Sequence, residues 1–171
     1  MKKLLRFSTF LFVVFASVAS TKAQKAYKSA IGLRLGSPTS ISFKTFASES
    51  LAFEAYFGTR GYSYYRWNNI SAALQIHKPF TLIEEVEGLK YYVGVGASAY
   101  ITSYDGIFDN NWNSATFGVQ GYAGFEYTFE DLPINLTIDW VPTYFLGEGF
   151  ITGFRANYGT LGVRYVLGRG N

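Results

Sequence analysis

The chain of 171 residues contains one histidine, His77, and no cysteine. His77 precedes Lys78 and Pro79, and no serine stands at a spacing that would pair a nucleophile with this base. One histidine without cysteine also argues against a zinc site. We therefore expect no enzymatic activity, no metal and no cofactor.

Seven charged residues are isolated among small and apolar neighbours in segments of alternating polarity. They are Arg34, Lys44, Lys90 and Arg164 together with Glu54, Glu126 and Asp139. In a shared interior these charges should form ion pairs, because a buried unpaired charge is costly. Two interpretations stay open: a polar conduit or gate, and a plug of paired side chains that fills the interior.

Aromatic residues are concentrated in two of the segments that connect the predicted strands. These are Tyr62, Tyr64, Tyr65, Trp67, Phe108 and Trp112. They could form a binding surface or an aromatic belt. Asp105 and Asp109 lie in the second segment, but their spacing is not that of an EF-hand calcium loop.

These residues lie on or between predicted strands, since polarity alternates with period two along most of the chain. No helix of convincing length is predicted. Eight segments show the alternation: Ala30–Gly36, Ser40–Phe46, Leu51–Thr59, Ile70–Lys78, Leu89–Thr102, Phe117–Phe129, Ile134–Tyr144 and Tyr158–Leu167.

One face of these strands is almost free of charge, and the other mixes glycine and serine with the isolated charges. In a water-soluble barrel the second face would meet solvent, where glycine only weakens a strand. In a membrane barrel the apolar face meets lipid and the polar face lines a narrow interior. The pattern therefore favours an all-β, eight-stranded, antiparallel, up-and-down transmembrane barrel.

The connections between the segments alternate in length along the chain. The segments Arg60 to Asn69, Ser103 to Thr116 and Phe145 to Asn157 are predicted to be long loops at one end of the barrel. Most of the others are short. Long outer loops and short periplasmic turns are typical of bacterial membrane barrels.

The first 23 residues have the features of a secretory signal peptide. Lys2, Lys3 and Arg6 precede an apolar run, and Thr21-Lys22-Ala23 suits cleavage before Gln24. We expect residues 1–23 to be removed and residues 24–171 to form the barrel domain. The signal holds four of the 15 basic residues and no acid, so with 12 acidic residues the barrel domain has a net charge of −1. Nothing in that charge indicates nucleic-acid binding.

The last third of the chain carries a resemblance to a known family. Gly124–Phe129, Pro133–Pro142 and Gly162–Tyr165 resemble the strands of small Gram-negative outer-membrane β-barrels, of the OmpA transmembrane domain and OmpX type. Such chains typically end on an aromatic residue, whereas this one ends Leu167-Gly168-Arg169-Gly170-Asn171. The resemblance implies residence in the outer membrane and a porin-like architecture.

We expect a monomeric, non-catalytic outer-membrane protein with a structural or surface-interaction role through extracellular loops. A narrow channel or carrier for small solutes is the alternative. The expected partners are outer-membrane lipid, the outer-membrane assembly machinery and an extracellular or envelope partner of unknown identity, with no nucleic acid.

Overall fold

The computed structural model describes residues 27–62, 65–80, 88–104, 112–147, 152–156 and 158–169. The predicted signal peptide, residues 1–23, lies outside these residues. The described residues form ten strands: β1 (Tyr27–Leu35), β2 (Thr39–Phe46), β3 (Leu51–Tyr62), β4 (Tyr65–Pro79), β5 (Leu89–Tyr104), β6 (Trp112–Thr128), β7 (Ile134–Trp140), β8 (Thr143–Leu146), β9 (Gly153–Arg155) and β10 (Gly159–Arg169).

All strand pairings are antiparallel, and the sheet closes on itself. Each strand from β1 to β6 pairs with the next, β7 and β8 both pair with β6, and β10 pairs with β7 and β1. Since β8 continues β7 and β9 precedes β10 on the last hairpin, the barrel has eight strands. The predicted all-β, up-and-down, eight-stranded barrel is thereby confirmed. Among the described residues no helix is long and apolar enough to cross a membrane.

Pro142 explains why the predicted strand Ile134–Tyr144 is divided into β7 and β8. The register toward β6 is unbroken, because Trp140 pairs with Ala123 and Thr143 with Gln120. The amide of Gly121 donates to the carbonyl of Pro142 at 2.8 Å. Proline has no N–H to return that hydrogen bond, so one rung of the ladder is missing.

The barrel end that carries Tyr27 and Arg169 is called the base here, and the opposite end the rim. The predicted bounds of two of the three long rim loops are wrong. The first is shorter than predicted, because β3 continues to Tyr62 and β4 begins at Tyr65. Likewise β5 reaches Tyr104 and β6 starts at Trp112. Tyrosine and tryptophan favour strands. The β3–β4 and β5–β6 hairpins, which contain both, therefore continue beyond the positions where the apolar alternation fades.

The rim is uneven. The β1–β2 hairpin turns over residues 36–38, and the last pair between β2 and β3 is Thr39 with Thr59. Strand β3 runs three residues beyond that pair, with Tyr62 opposite Tyr65. The β1–β2 turn is therefore the low point of the rim, and the wall on the side of β3–β6 rises above it.

The two faces of the wall differ as the alternation predicts. Large apolar side chains point outward and are exposed, among them Ile41 (60%), Val95 (66%) and Ile138 (61%). The inward positions hold buried polar and charged side chains instead. A wall that is apolar outside and polar inside is the arrangement expected of a strand barrel in lipid, where closure satisfies the backbone amides.

Candidate functional site

Arg34 on β1 points into the interior of the barrel and is buried there. Its Nη1 donates to both carboxylate oxygens of Glu54, at 3.0 and 3.1 Å, and its Nη2 donates to Asp139 Oδ1 at 3.0 Å. The guanidinium also lies 4.7 Å from the ring centre of Tyr56. A fully buried cation is thus held by two carboxylates and one aromatic face.

A second buried arginine, Arg164 on β10, closes the same network from the other side. It forms an ion pair with Glu54, and its Nε donates to Ser42 Oγ at 2.9 Å. Its Nη1 donates to Thr137 Oγ1 at 3.0 Å. Gln75 Nε2 adds a hydrogen bond to Glu54 Oε2 at 2.8 Å. Glu54 is therefore the centre of the network and has both arginines as partners.

Toward the base, Lys44 and Glu126 form the third set of contacts. The Nζ of Lys44 lies 2.9 Å from Glu126 Oε2 and 4.7 Å from the ring centre of Tyr92. The hydroxyl of Tyr27 donates to Glu126 at 3.2 Å, and the hydroxyl of Tyr92 donates to Asp139. These contacts tie residues of five different strands together.

The structure places all seven of the predicted interior charges on inward positions, and it brings six of them into one network. Three cations and three carboxylates in that network cancel in formal charge. Lys90 stands apart, at 8% exposure near the base, with its Nζ 5.6 Å from the ring centre of Phe46.

Glycines give the large interior side chains their space. A Cβ built on Gly124 would lie 2.5 Å from the carbonyl oxygen of Ile138 and 2.9 Å from Cζ of Tyr92. A Cβ on Gly96 would lie 3.0 Å from a ring carbon of Tyr122. Gly124 and Gly96 thus leave room for the rings of Tyr92 and Tyr122 beside the wall.

His77 is part of this packing. Its ring stacks on Tyr92 with centres 4.7 Å apart, and its Nε2 lies 3.3 Å from Gln75 Oε1. Among the described residues, no group of three or more His, Cys, Asp or Glu side chains is arranged to hold a metal ion.

The residues predicted to form an outer-loop surface do not lie in loops where the structure describes them. Tyr62, Tyr65, Trp67 and Trp112 belong to β-strands, not loops. Trp67 is half-buried in β4, opposite Arg60 of β3. Tyr64 and Phe108 lie outside the described residues. The aromatic positions therefore flank the raised side of the rim.

Near the rim the interior holds a small cavity, called the rim vestibule here. Its volume is about 20 Å³, and it lies beside the low β1–β2 turn. Its lining comprises Arg34, Ser37, Pro38, Ser40, Tyr56, Asn69, Tyr100, Gln120, Val141, Tyr158 and Thr160. Beside the vestibule the hydroxyls of Tyr56 and Tyr122 lie 2.8 Å apart, Tyr122 donates to Gln120 Oε1 at 2.8 Å, and the same oxygen lies 3.2 Å from the Tyr56 hydroxyl. Both Tyr56 of this cluster and Arg34 of the charged network therefore border the vestibule.

Several network members were not among the predicted site residues. Four of them lie on the predicted inner face, namely Gln75, Asn135, Thr137 and Thr160. The alternation therefore predicts their inward position but not their hydrogen bonds to the charged side chains. Tyr27 precedes the first predicted segment. The register of β1 on β10 shifts between Tyr27 and Ala30, so alternation could not place the Tyr27 side chain inside.

The described residues form a closed eight-stranded antiparallel barrel with an apolar outer wall and a charged, paired interior, which is the fold of outer-membrane β-barrels. Solved structures that share the fold include two outer-membrane proteins. The N-terminal β-barrel domain of Pseudomonas aeruginosa OprF superposes with a TM-score of 0.61 at 16% identity, over 84% of this chain and 98% of that one. Neisserial surface protein A, NspA, superposes with a TM-score of 0.55 at 15% identity, over 81% of this chain and 93% of that one.

No known protein family matches the chain by sequence, and no curated protein gives a significant match. The likeness to OprF and NspA is thus one of fold.

Proposed function

We propose that the protein is a non-catalytic integral protein of the Gram-negative outer membrane that acts through its extracellular rim. In this proposal residues 1–23 are removed during export and the base faces the periplasm. The outward apolar wall and the fold shared with OprF and NspA support the membrane placement.

The observation that carries the proposal is the filling of the interior. The ion pair between Lys44 and Glu126 and the contacts of Arg34 with Glu54 and Asp139 join facing parts of the wall. An eight-stranded interior is just wide enough to be filled by side chains. With the interior occupied in this way, the rim is the part of the protein free to make contacts outside the cell.

The raised side of the rim supports a role in surface recognition. Strands β3 to β6 extend above the β1–β2 turn and hold Tyr62, Tyr65, Trp67 and Trp112 on a paired sheet. Tyrosine and tryptophan on a rigid element provide contact area at little cost in conformational entropy.

Planar-bilayer conductance of the purified, folded protein tests whether side chains block the interior of the barrel. Silent bilayers are expected, because the interior contacts leave no wide water path. Stable, ion-selective openings would instead favour the alternative, a narrow channel or carrier for small solutes, and would remove the basis of the proposal.

A shortened hairpin tests the rim. Replacing residues 61–66 by Asn-Gly should close β3 on β4 at the existing pair of Arg60 and Trp67. We expect the variant to fold, as seen by its heat-modifiable gel shift, but to lose adhesion to immobilised extracellular-matrix proteins. Gly61→Ala is the matched control, since a Cβ there has no neighbour within 4 Å. Full adhesion by the shortened variant would exclude the hairpin as the contact surface.

A further inference from the structure

One charged side chain, Arg66, lies on the outward face of the rim in the part of the chain that the structure describes. It belongs to the face of β4 that carries Ile70 and Leu74, both more than half exposed. The other described cations of the rim, Arg60 and Arg155, lie on the inward face. Arg66 is exposed and makes no ion pair or hydrogen bond with another described residue. Its guanidinium is therefore available to an anion from outside the barrel.

The length of β4 gives the depth of Arg66 in a bilayer. Lys78 lies on the same face at the base end of the strand, 12 residues away, and the residues between them on that face carry no charge. At about 3.3 Å per residue and a strand tilt of about 35–45°, the two positions are about 30 Å apart along the barrel axis. The apolar band of such barrels is about 25 Å tall. Arg66 therefore lies just beyond that band, at the level of the lipid headgroups.

The surroundings of Arg66 combine open space with polar side chains. It pairs with Gly61 on one side and Ser103 on the other, and a Cβ on Gly61 would have no neighbour within 4 Å. Asn68 is the next outward residue toward the bilayer and pairs with Thr59. These neighbours supply one amide and two hydroxyls as hydrogen-bond donors. A guanidinium can bind a phosphate through two parallel hydrogen bonds, so the group as a whole suits a phosphate.

Apolar surface begins directly below these polar groups. Phe57 pairs with Ile70, and Ile101 pairs with Asn68. All three apolar side chains are exposed on the outer wall. A lipid with its phosphate at the level of Arg66 would place its acyl chains on this surface, whereas a soluble phosphate would leave it uncovered. The combination of a cation with apolar surface therefore favours a lipid as the occupant.

We propose that Arg66 and its polar neighbours bind the phosphate of an anionic lipid in the outer leaflet, whose acyl chains lie on Phe57, Ile70 and Ile101. The inference rests on the membrane placement in the proposed function, and it adds a specific lipid site on the outside of the raised wall. It does not depend on any partner that the hairpins contact.

The test is native mass spectrometry of the folded protein, released from micelles that contain equal amounts of phosphatidylglycerol and phosphatidylcholine. The unmodified protein should retain phosphatidylglycerol in preference. Arg66→Gln should weaken that retention about fivefold, the effect of one cation close to an anionic lipid surface. Arg155→Gln is the matched control, because it removes the same charge from the inward face of the rim and should leave the retention unchanged.

A second variant, Gly61→Glu, keeps the test valid if Arg66→Gln does not fold. It places a carboxylate beside Arg66, where a side chain meets no neighbour, and should reduce the retention in the same way. Gly61→Ala is its control. The lipid site is overturned if the unmodified protein retains both lipids equally, or if the folded variants retain phosphatidylglycerol as the unmodified protein does. Displacement of the lipid by an equal concentration of inorganic phosphate would also overturn it, because the acyl chains would then contribute nothing.

Insertion is measured separately, by the heat-modifiable gel shift after reconstitution into vesicles of phosphatidylcholine alone. A protein that fails to insert contradicts the membrane placement and with it the lipid site. A protein that inserts but shows no preference for phosphatidylglycerol contradicts the lipid site alone.

Discussion

Lys44 on β2 and Glu126 on β6 form an ion pair of 2.9 Å, although four strand-to-strand steps separate their strands in either direction around the barrel. The pair therefore spans the full width of the interior. Both side chains are buried, at 0% and 1% exposure. A contact between opposite walls acts as a brace across the barrel, in addition to the backbone ladder that runs around it.

Removing one charge of this pair should destabilise the barrel. Lys44→Met leaves the carboxylate of Glu126 buried without its cation, which should lower the free energy of unfolding by about 3–5 kcal/mol. Lys44→Met with Glu126→Gln removes both charges and should recover most of that loss. Urea unfolding in lipid vesicles, followed by tryptophan fluorescence, gives the comparison. Lys28→Met, at an exposed position of β1, is the control. A single variant as stable as the control would contradict the role of the pair as a brace.

Lipid contact is tested by a charge on the outer wall. Val93 is 43% exposed on the outward face of β5. An arginine near the bilayer midplane costs about 2–4 kcal/mol, falling to about 0–1 near the interface. Val93→Arg should therefore destabilise the barrel by more than Leu35→Arg, which lies at the rim end of β1. The measurement is the same vesicle unfolding, and equal losses at the two positions would be inconsistent with a lipid-facing Val93.

Gly124 should tolerate no side chain. A Cβ there would meet the carbonyl oxygen of Ile138 at 2.5 Å and Cβ of Asp139 at 2.6 Å, and neither atom belongs to a flexible chain end. Overpacking of this kind typically costs about 1–3 kcal/mol. Gly124→Ala should lower the free energy of unfolding by that amount. Gly61→Ala, which meets no neighbour, should change it by less than about 0.5 kcal/mol. Equal stabilities of the two variants would show that the wall relaxes around Gly124.

Much of this architecture follows from the sequence because alternation with period two is a local signal. It gave the strand number, the outward apolar face and the inward positions of residues such as Arg34 and Glu54. The pairing partners could not be predicted, since they depend on register around the whole barrel. Lys44 and Glu126 are 82 residues apart in sequence, and only closure brings them together.

The rim was predicted less well than the wall. Toward the rim the apolar alternation fades although the backbone pairing continues. The fading alternation therefore predicts loops over residues 60–69 and 103–116, whereas most of these residues belong to strands. The outward position of Arg66 could not be predicted either, because it depends on the continuation of β4 from Ile70 toward the rim.

The interruption between β7 and β8 leads to the last prediction. Gly121 donates to the carbonyl of Pro142, and the register places these two residues directly opposite each other. In a hydrogen-bonded antiparallel pair both residues normally exchange N–H···O bonds, and Pro142 withholds one of them. Pro142→Val should supply the missing donor at an intact register and raise the free energy of unfolding by about 0.5–1.5 kcal/mol, the net value of one hydrogen bond.

Hydrogen exchange gives the direct readout of that change. In Pro142→Val the new amide at position 142 should be as protected as that of Thr143, and β7 and β8 should behave as one strand. Pro142→Gly is the matched control, because it restores the same N–H without a β-branched side chain and so separates the hydrogen bond from strand propensity. If the amide at position 142 exchanges freely in both variants, the restored N–H forms no hydrogen bond. The missing N–H of Pro142 would then not be the cause of the break between β7 and β8. The cause of the interruption would then lie on the other side of the strand, toward the last hairpin. There the amide of Val141 donates to the carbonyl of Tyr158 at 2.8 Å, and the register shifts by one residue between the β7–β10 pairs and the β8–β9 pairs.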